Sequence, residues 1–246
     1  MGFADRQYAR RDYGPSTTVG AMRLWSITTW LIVVNVAVFL LNALTRTPEN
    51  GGSGWFDLWG YFSADTVIRG LQFWRFLSFQ FLHANLEHLI FNMFALYVFG
   101  PIIEGYLGRW KYLAFYLLCG IGGALMYLAL WIFGILQYGA ATELVGASAG
   151  IFGILVAGAK VAPDTTVMLI FPPIPLRLRV LALILLAIAV YVVFSNGGNA
   201  GGEAAHLGGA AVGALLIWQP QVLGIFDRWP FRRGRRFSSR SSWWKP

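Results

Sequence analysis

Charge is what this chain has least of. Only 12% of its 246 residues are Asp, Glu, Lys or Arg, about half of the roughly 25% that a water-soluble domain carries. With 57% hydrophobic residues and a positive mean hydropathy of +0.58, that deficit makes lipid the main solvent. Cysteine is nearly missing too. The single thiol, Cys119, lies in an apolar run and excludes an internal disulfide or a CxxC metal or redox pair. It reads as a small buried apolar side chain. The first 24 residues lack the short apolar core of a secretory signal and carry Arg6, Arg10, Arg11 and Arg23, so they read as a cytoplasmic tail. The formal charge of +8 superficially suits nucleic acid, but the basic residues crowd the two ends. That distribution fits membrane topology and anionic headgroups, and no nucleic-acid partner is expected.

What is present is a series of apolar runs. Six candidate spans follow from them: Trp25 to Leu44, about Leu86 to Ile103, Trp110 to Leu136, Gly146 to Lys160, Leu176 to Phe194, and about Ala204 to Trp218. A turn with Pro163, Pro172, Pro173 and Pro175 separates the fourth from the fifth. With both termini cytoplasmic, sixteen of the 19 Lys and Arg fall inside and only Arg46, Arg69 and Arg75 outside, a bias that predicts an even number of spans. The expected architecture is all-α and polytopic: a tail over 1–24, a six-span membrane domain over 25–220, and a basic cytoplasmic tail over 221–246. Between Leu44 and Leu86, Trp55, Phe56, Trp59, Tyr61, Phe62, Phe73, Trp74 and Phe76 mix with Gly, Asp and Arg. That stretch is too polar to span and too aromatic for a free loop, so it is expected to lie in the membrane interface.

Polar residues inside spans are costly and therefore informative. His88 and Asn92 stand four residues apart on one face of the second span. Glu104 sits near that span's cytoplasmic end, Ser148 opens the fourth span within Gly146-Ala-Ser-Ala-Gly150, and His206 opens the sixth. All three histidines, His83, His88 and His206, fall on the expected outer side. The fourth span is short: 15 residues from Gly146 to Lys160 make roughly 22 Å of helix, against a hydrocarbon core of roughly 30 Å. Its start therefore lies below the outer surface, where unpaired backbone N–H groups must face protein or water. Such a helix end also suits an oxyanion. Gly146, Gly150 and Gly153, with Ala149 and Ala157, and Gly209 with Gly213 form small-residue faces on the fourth and sixth spans. These allow close backbone approach, which brings Ser148 within reach of the His206 base for acyl transfer. Zinc is not expected. The run His83-Ala-Asn-Leu-Glu87-His88 is one residue longer than HxxEH, which turns its histidines about 140° apart on a helix instead of about 40°.

The ordered set Trp74-Arg75, His83-x4-His88-x3-Asn92, Gly146-x-Ser148 and Ala205-His206-x2-Gly209-x3-Gly213 resembles the rhomboid family signature over about residues 25–220. The resemblance implies a six-helix rhomboid-like bundle and an intramembrane serine endopeptidase that cleaves transmembrane segments through a Ser-His dyad and an acyl-enzyme, without cofactor or metal. It makes Ser148 the nucleophile and His206 the general base. His88, Asn92 and the Ser148 backbone N–H would form the oxyanion hole. His83 would support the first external loop and water access, Trp74-Arg75 would anchor that loop in the interface, and Glu104 would act structurally. Phe152 would lay an aromatic ring against the catalytic imidazole. Where the family commonly has Gly after the serine, this chain has Ala149, which sets a methyl group beside the nucleophile. The implied partners are single-span membrane proteins with a locally unstable helix, and the implied location is a bacterial inner membrane with both termini cytoplasmic. The competing reading is a rhomboid-like binding or quality-control factor without proteolysis, since one fold serves both. A transporter fits poorly, because paired carboxylates and inverted repeats are missing. The fifth span and the glycine-rich Ser195–Gly202 loop are candidate gates for substrate.

Overall fold

The computed structural model describes residues 25–47, 52–169 and 173–228. The expected N-terminal tail over 1–24, the chain beyond 228 and Pro172 of the proline turn lie outside the described residues. The helices are α1 (Ile27–Leu44), the short α2 (Trp55–Gly60), α3 (Ala64–Ile68) and α4 (Arg75–Ser78), then α5 (Leu86–Leu107), α6 (Arg109–Ile132), α7 (Ser148–Val161), α8 (Leu178–Phe194) and α9 (Ala200–Trp218). Four of them, α1, α5, α6 and α9, are long and apolar enough to cross a membrane. The other two apolar helices are shorter, 14 residues for α7 and 17 for α8. Three boundaries differ from the sequence expectation by about a turn: α5 runs on to Leu107, α6 stops at Ile132, and α9 starts at Ala200 instead of Ala204. The proline turn contains a small antiparallel hairpin, β1 (Thr166–Met168) against β2 (Pro175–Arg177), with Val167 opposite Leu176.

The helix ends explain how the spans are arranged. The Asn85 side chain accepts from the His88 N–H at 2.8 Å and so caps the start of α5. Gly108, at φ 79°, ends α5 and at once begins α6, a backbone conformation that favours glycine. Glu104 reaches from the end of α5 to the first turn of α1. Its carboxylate accepts from the backbone N–H groups of Ile27 and Thr28 at 2.7 and 2.9 Å and from the Thr28 hydroxyl at 2.8 Å. It thus satisfies N–H groups that a helix start leaves without an intrahelical partner, and the expected structural role acquires a specific form.

Packing centres on α9, which lies against α6, α7 and α8. A Cβ placed on Gly209 would run into the Ala149 carbonyl, and one on Gly213 would lie 2.6 Å from the Gly153 Cα. The α7–α9 crossing is therefore a direct backbone contact of the kind small residues permit. Gly150 belongs elsewhere: a Cβ there would meet the Tyr116 ring of α6 at 2.6 Å, so this glycine serves the α6–α7 packing and not the α7–α9 face expected of it. The fully buried Leu96, Phe115, Tyr116 and Ile154 fill the space between α5, α6 and α7. Beyond α9, the 3-10 segment Pro220–Arg228 returns to the bundle and buries Leu223 completely. Leu223, within the stretch expected as a basic cytoplasmic tail, thus packs in the core.

The first loop is a folded layer. Trp55, Trp59, Leu71, Phe73 and Trp74 are exposed on it while Phe62 and Phe79 are buried beneath. Arg75, only 3% exposed, holds the loop from within. It donates to the carbonyls of Tyr61 and Leu58 at 2.5 and 2.7 Å and to the Gln72 side chain at 2.5 Å. Its guanidinium also lies over the Tyr61 ring. Burial pulls its pKa below the ordinary arginine value, while Tyr61 and Glu143 oppose the shift. Arg75 was expected to help anchor this loop in the interface, and its bonds within the loop run to the carbonyls of Tyr61 and Leu58 and to the Gln72 side chain. Trp74 stays half exposed and gives its indole N–H to the Trp59 carbonyl.

Candidate active site

The loop and the bundle meet just before α7. Phe62 and Leu144 exchange backbone hydrogen bonds at 3.0 and 2.7 Å, and the Gly146 N–H donates to the Phe79 carbonyl at 3.0 Å. These bonds fix the strand-like approach to Ser148. Gly146 then takes φ +130°, and a Cβ there would lie 2.8 and 2.9 Å from the His88 Cε1 and Nε2 atoms and 3.5 Å from the Ser148 Oγ. Glycine is needed here twice over, for its backbone angle and because the His88 ring occupies the side-chain space beside the serine. Ser148 is the first residue of α7, whose start has no side-chain cap. The first N–H groups of such a helix have no intrahelical partner.

Ser148, His206, His88, Asn92 and Phe152 line one cavity of about 580 Å³, with Gly146 at its wall. Asn92 is 6% exposed and donates one amide hydrogen to the His88 carbonyl at 2.9 Å, which leaves its second amide hydrogen for another acceptor. The Phe152 ring stacks on the His206 imidazole at a centroid distance of 4.1 Å and an interplanar angle of 9°. His83 lies behind His88, edge to face at 5.1 Å. It is 2% exposed, and neither ring nitrogen has a hydrogen-bond partner among the described residues. Burial holds its pKa down to about 3, with His88 as the lesser cause, so it is neutral under ordinary conditions. Of the residues singled out in the sequence, His83, Trp74, Arg75 and Glu104 do not line the cavity, and Gly209 and Gly213 act at one remove by setting the α7–α9 contact.

Two features escaped the sequence reading. Ala149 is 1% exposed, and its methyl group packs where a Cβ on Gly123 of α6 would otherwise lie, 2.6 Å away. The extra methyl is accommodated by a glycine opposite it. The second feature is Glu203, whose Oε2 lies 2.8 Å from the His206 Nδ1. The signal for it was present as a lone carboxylate three residues before a histidine, but starting the sixth span at Ala204 left it outside the helix.

The chain is thus a helical membrane protein with a serine at a buried helix start and a histidine facing the same cavity. The match to the Rhomboid domain over residues 70–220 shows that it belongs to the rhomboid family. It is 32% identical over 208 residues to Rhomboid protease AarA of Providencia stuartii, covering 78% of this chain and 71% of that protein. It is also 30% identical over 169 residues to Rhomboid protease GluP of Bacillus subtilis, covering 68% of this chain and 31% of that protein. Rhomboid-like protein 11, chloroplastic, of Arabidopsis thaliana is 28% identical over 195 residues, covering 77% and 63% respectively. The chain therefore spans less than two thirds of the latter two proteins.

Proposed function

We propose that this chain is an intramembrane serine endopeptidase that cleaves transmembrane segments of other membrane proteins. The observation that carries the reading is the convergence of Ser148, His206, His88 and Asn92 on one cavity at the start of α7. Two of the similar proteins cited above bear the name rhomboid protease, which supports the same reaction class. In this mechanism His206 takes the Ser148 hydroxyl proton as Oγ bonds to the scissile carbonyl carbon, and the carbonyl π electrons move to oxygen. His88, the free amide hydrogen of Asn92 and the Ser148 N–H then stabilise the oxyanion. As the tetrahedral intermediate collapses, the C–N bond breaks and His206 gives its proton to the leaving amine. Water, deprotonated by the same histidine, attacks the acyl-enzyme and releases the second product while Ser148 recovers its proton.

Topology follows the same reading. The helices α7 and α8 complete a six-span bundle with both termini cytoplasmic, consistent with the bias of basic residues. At 14 residues, α7 extends about 21 Å, short of the roughly 30 Å hydrocarbon core. Ser148 thereby starts its helix below the outer surface, within reach of a substrate helix that has unwound locally. A bacterial inner membrane fits this arrangement. The alternative, a non-proteolytic relative, drew its support from Ala149; the packing of that methyl group against Gly123 favours the protease reading.

The test is cleavage of a single-span reporter in liposomes by the wild type and by Ser148→Ala, with fluorophosphonate labelling of the same samples. Cleavage and labelling are expected to require both Ser148 and His206. A folded Ser148→Ala protein that still cleaves would overturn the assignment.

A further inference from the structure

His206 is held on two sides. Phe152 covers one face of its ring, and on its edge Nδ1 lies 2.8 Å from the Glu203 Oε2. Both side chains of the pair are largely buried, 13% and 18% exposed. Glu203 stands in the first turn of α9, where the exposed amide dipoles of a helix start favour a negative charge. Side chains lean toward the helix N-terminus, so position 206 bends back over position 203 one turn earlier. Among the described residues the Glu203 carboxylate has no Lys or Arg partner, and His206 is its only side-chain hydrogen-bond partner. A carboxylate this enclosed, aimed at one nitrogen of the proposed base, is more than an ordinary surface pair along a helix.

We propose that Glu203 is the positioning residue of the site, extending the serine and histidine to a Ser148–His206–Glu203 triad; this rests on the protease reading above. An ionised carboxylate can only accept a hydrogen bond. Its contact with Nδ1 therefore fixes the neutral imidazole as the Nδ1–H tautomer and leaves the Nε2 lone pair for the serine proton. When that proton arrives, the imidazolium carries a positive charge directly beside the Glu203 carboxylate. No proton passes to Glu203: it holds the Nδ1–H throughout, and the proton on Nε2 leaves with the amine. With Phe152 against its face, the ring is fixed in both plane and rotation, so the base is already oriented before substrate binds.

The experiment compares wild type, Glu203→Gln, Glu203→Asp and Ser148→Ala in liposomes. It measures kcat and KM on the reporter, the rate of fluorophosphonate labelling of Ser148, and thermal unfolding. The amide of Glu203→Gln can turn its NH2 toward Nδ1 and favour the wrong tautomer, as an analogous change does in soluble serine proteases. Glu203→Gln is expected to lower kcat and labelling together, by on the order of 100-fold, with KM and unfolding temperature nearly unchanged. Glu203→Asp, which keeps the charge, is expected to retain more of both rates. Unchanged kcat and labelling in Glu203→Gln would overturn the proposal while leaving the protease reading intact, whereas cleavage by Ser148→Ala would remove that reading itself. Equal losses in both Glu203 variants, in step with reduced folding, would also overturn it. If Glu203→Gln does not fold, nitrogen-15 NMR of His206 in wild type decides: the Nδ1–H tautomer is expected, and the Nε2–H tautomer would overturn the proposal.

Discussion

His83 has a ring that cannot readily take a charge where it sits. Burial and the neighbouring His88 hold its pKa down to about 3, against an ordinary value of 6.5. The unfolded chain takes up that proton near pH 6.5 and the folded chain only near 3, so the stability tied to neutral His83 is complete above about pH 6.5. It drains away as the pH falls toward 3, by at most about 1.4 kcal/mol per pH unit for one proton. The expected outcome is an unfolding temperature in detergent that drops between pH 7 and pH 5 in wild type and drops less in His83→Leu. Equal slopes for the two proteins would remove His83 as the cause. The sequence placed His83 in the supporting set but could not reveal its burial, which arises from packing against α5 and the loop. Arg75 carries the same lesson. Its place in the interfacial loop was legible, but its partners, the carbonyls of Leu58 and Tyr61, 17 and 14 residues away, follow only from the fold.

Among the elements, α9 decides most. Its glycines were legible because close helix contacts leave a four-residue period of small residues, and Gly209 and Gly213 do meet the backbone of α7. Its start was not legible. Nothing in Asn199-Ala-Gly-Gly-Glu203 has the apolar character by which a span is recognised, yet the helix begins at Ala200 and Glu203 lies within it. Long-range capping was equally hidden: Glu104 could be marked as structural, but its partners on α1 follow only from the fold. Gly209→Ala tests the α7–α9 contact. The added methyl meets the Ala149 carbonyl, so the variant is expected to lose about 1–3 kcal/mol of stability. It is also expected to lose at least about tenfold in cleavage, because a small displacement of His206 from Ser148 is amplified in the rate. Wild-type cleavage in a folded Gly209→Ala protein would show that the crossing distance does not govern the site.

At the scale of the whole molecule, the cavity is closed off partly by the connection between α8 and α9. The glycine-rich composition suggested a loose gate over Ser195–Gly202. Gly201 and Gly202 instead belong to α9, and Tyr138 ties down the shorter loop. Its hydroxyl donates to the Gly197 carbonyl at 2.5 Å and accepts from the Ala200 N–H at 3.0 Å, while Asn196 accepts from the Gln137 N–H. What freedom is left centres on Gly198, which lines the cavity and around which a Cβ would meet nothing within 4 Å. Gly198→Pro is therefore expected to leave the unfolding temperature nearly unchanged or slightly raised. If this loop must bend to admit substrate, kcat on the reporter falls severalfold while labelling of Ser148 by a small probe persists. Unchanged turnover would move the gate to α8.

The Glu104 contact also bears on how the chain is made. The first turn of α1 is completed by a residue 77 positions further along. At roughly 5–20 residues per second of synthesis, that partner leaves the ribosome about 4–15 s after Ile27 does. During that interval α1 has to be held by the insertion machinery or by lipid alone, with its leading amides tied to water or headgroups. Arrival of α5 then latches its own end to the start of α1. Assembly of this protein thus has a built-in order, in which the start of α1 is finished only once α5 has been made.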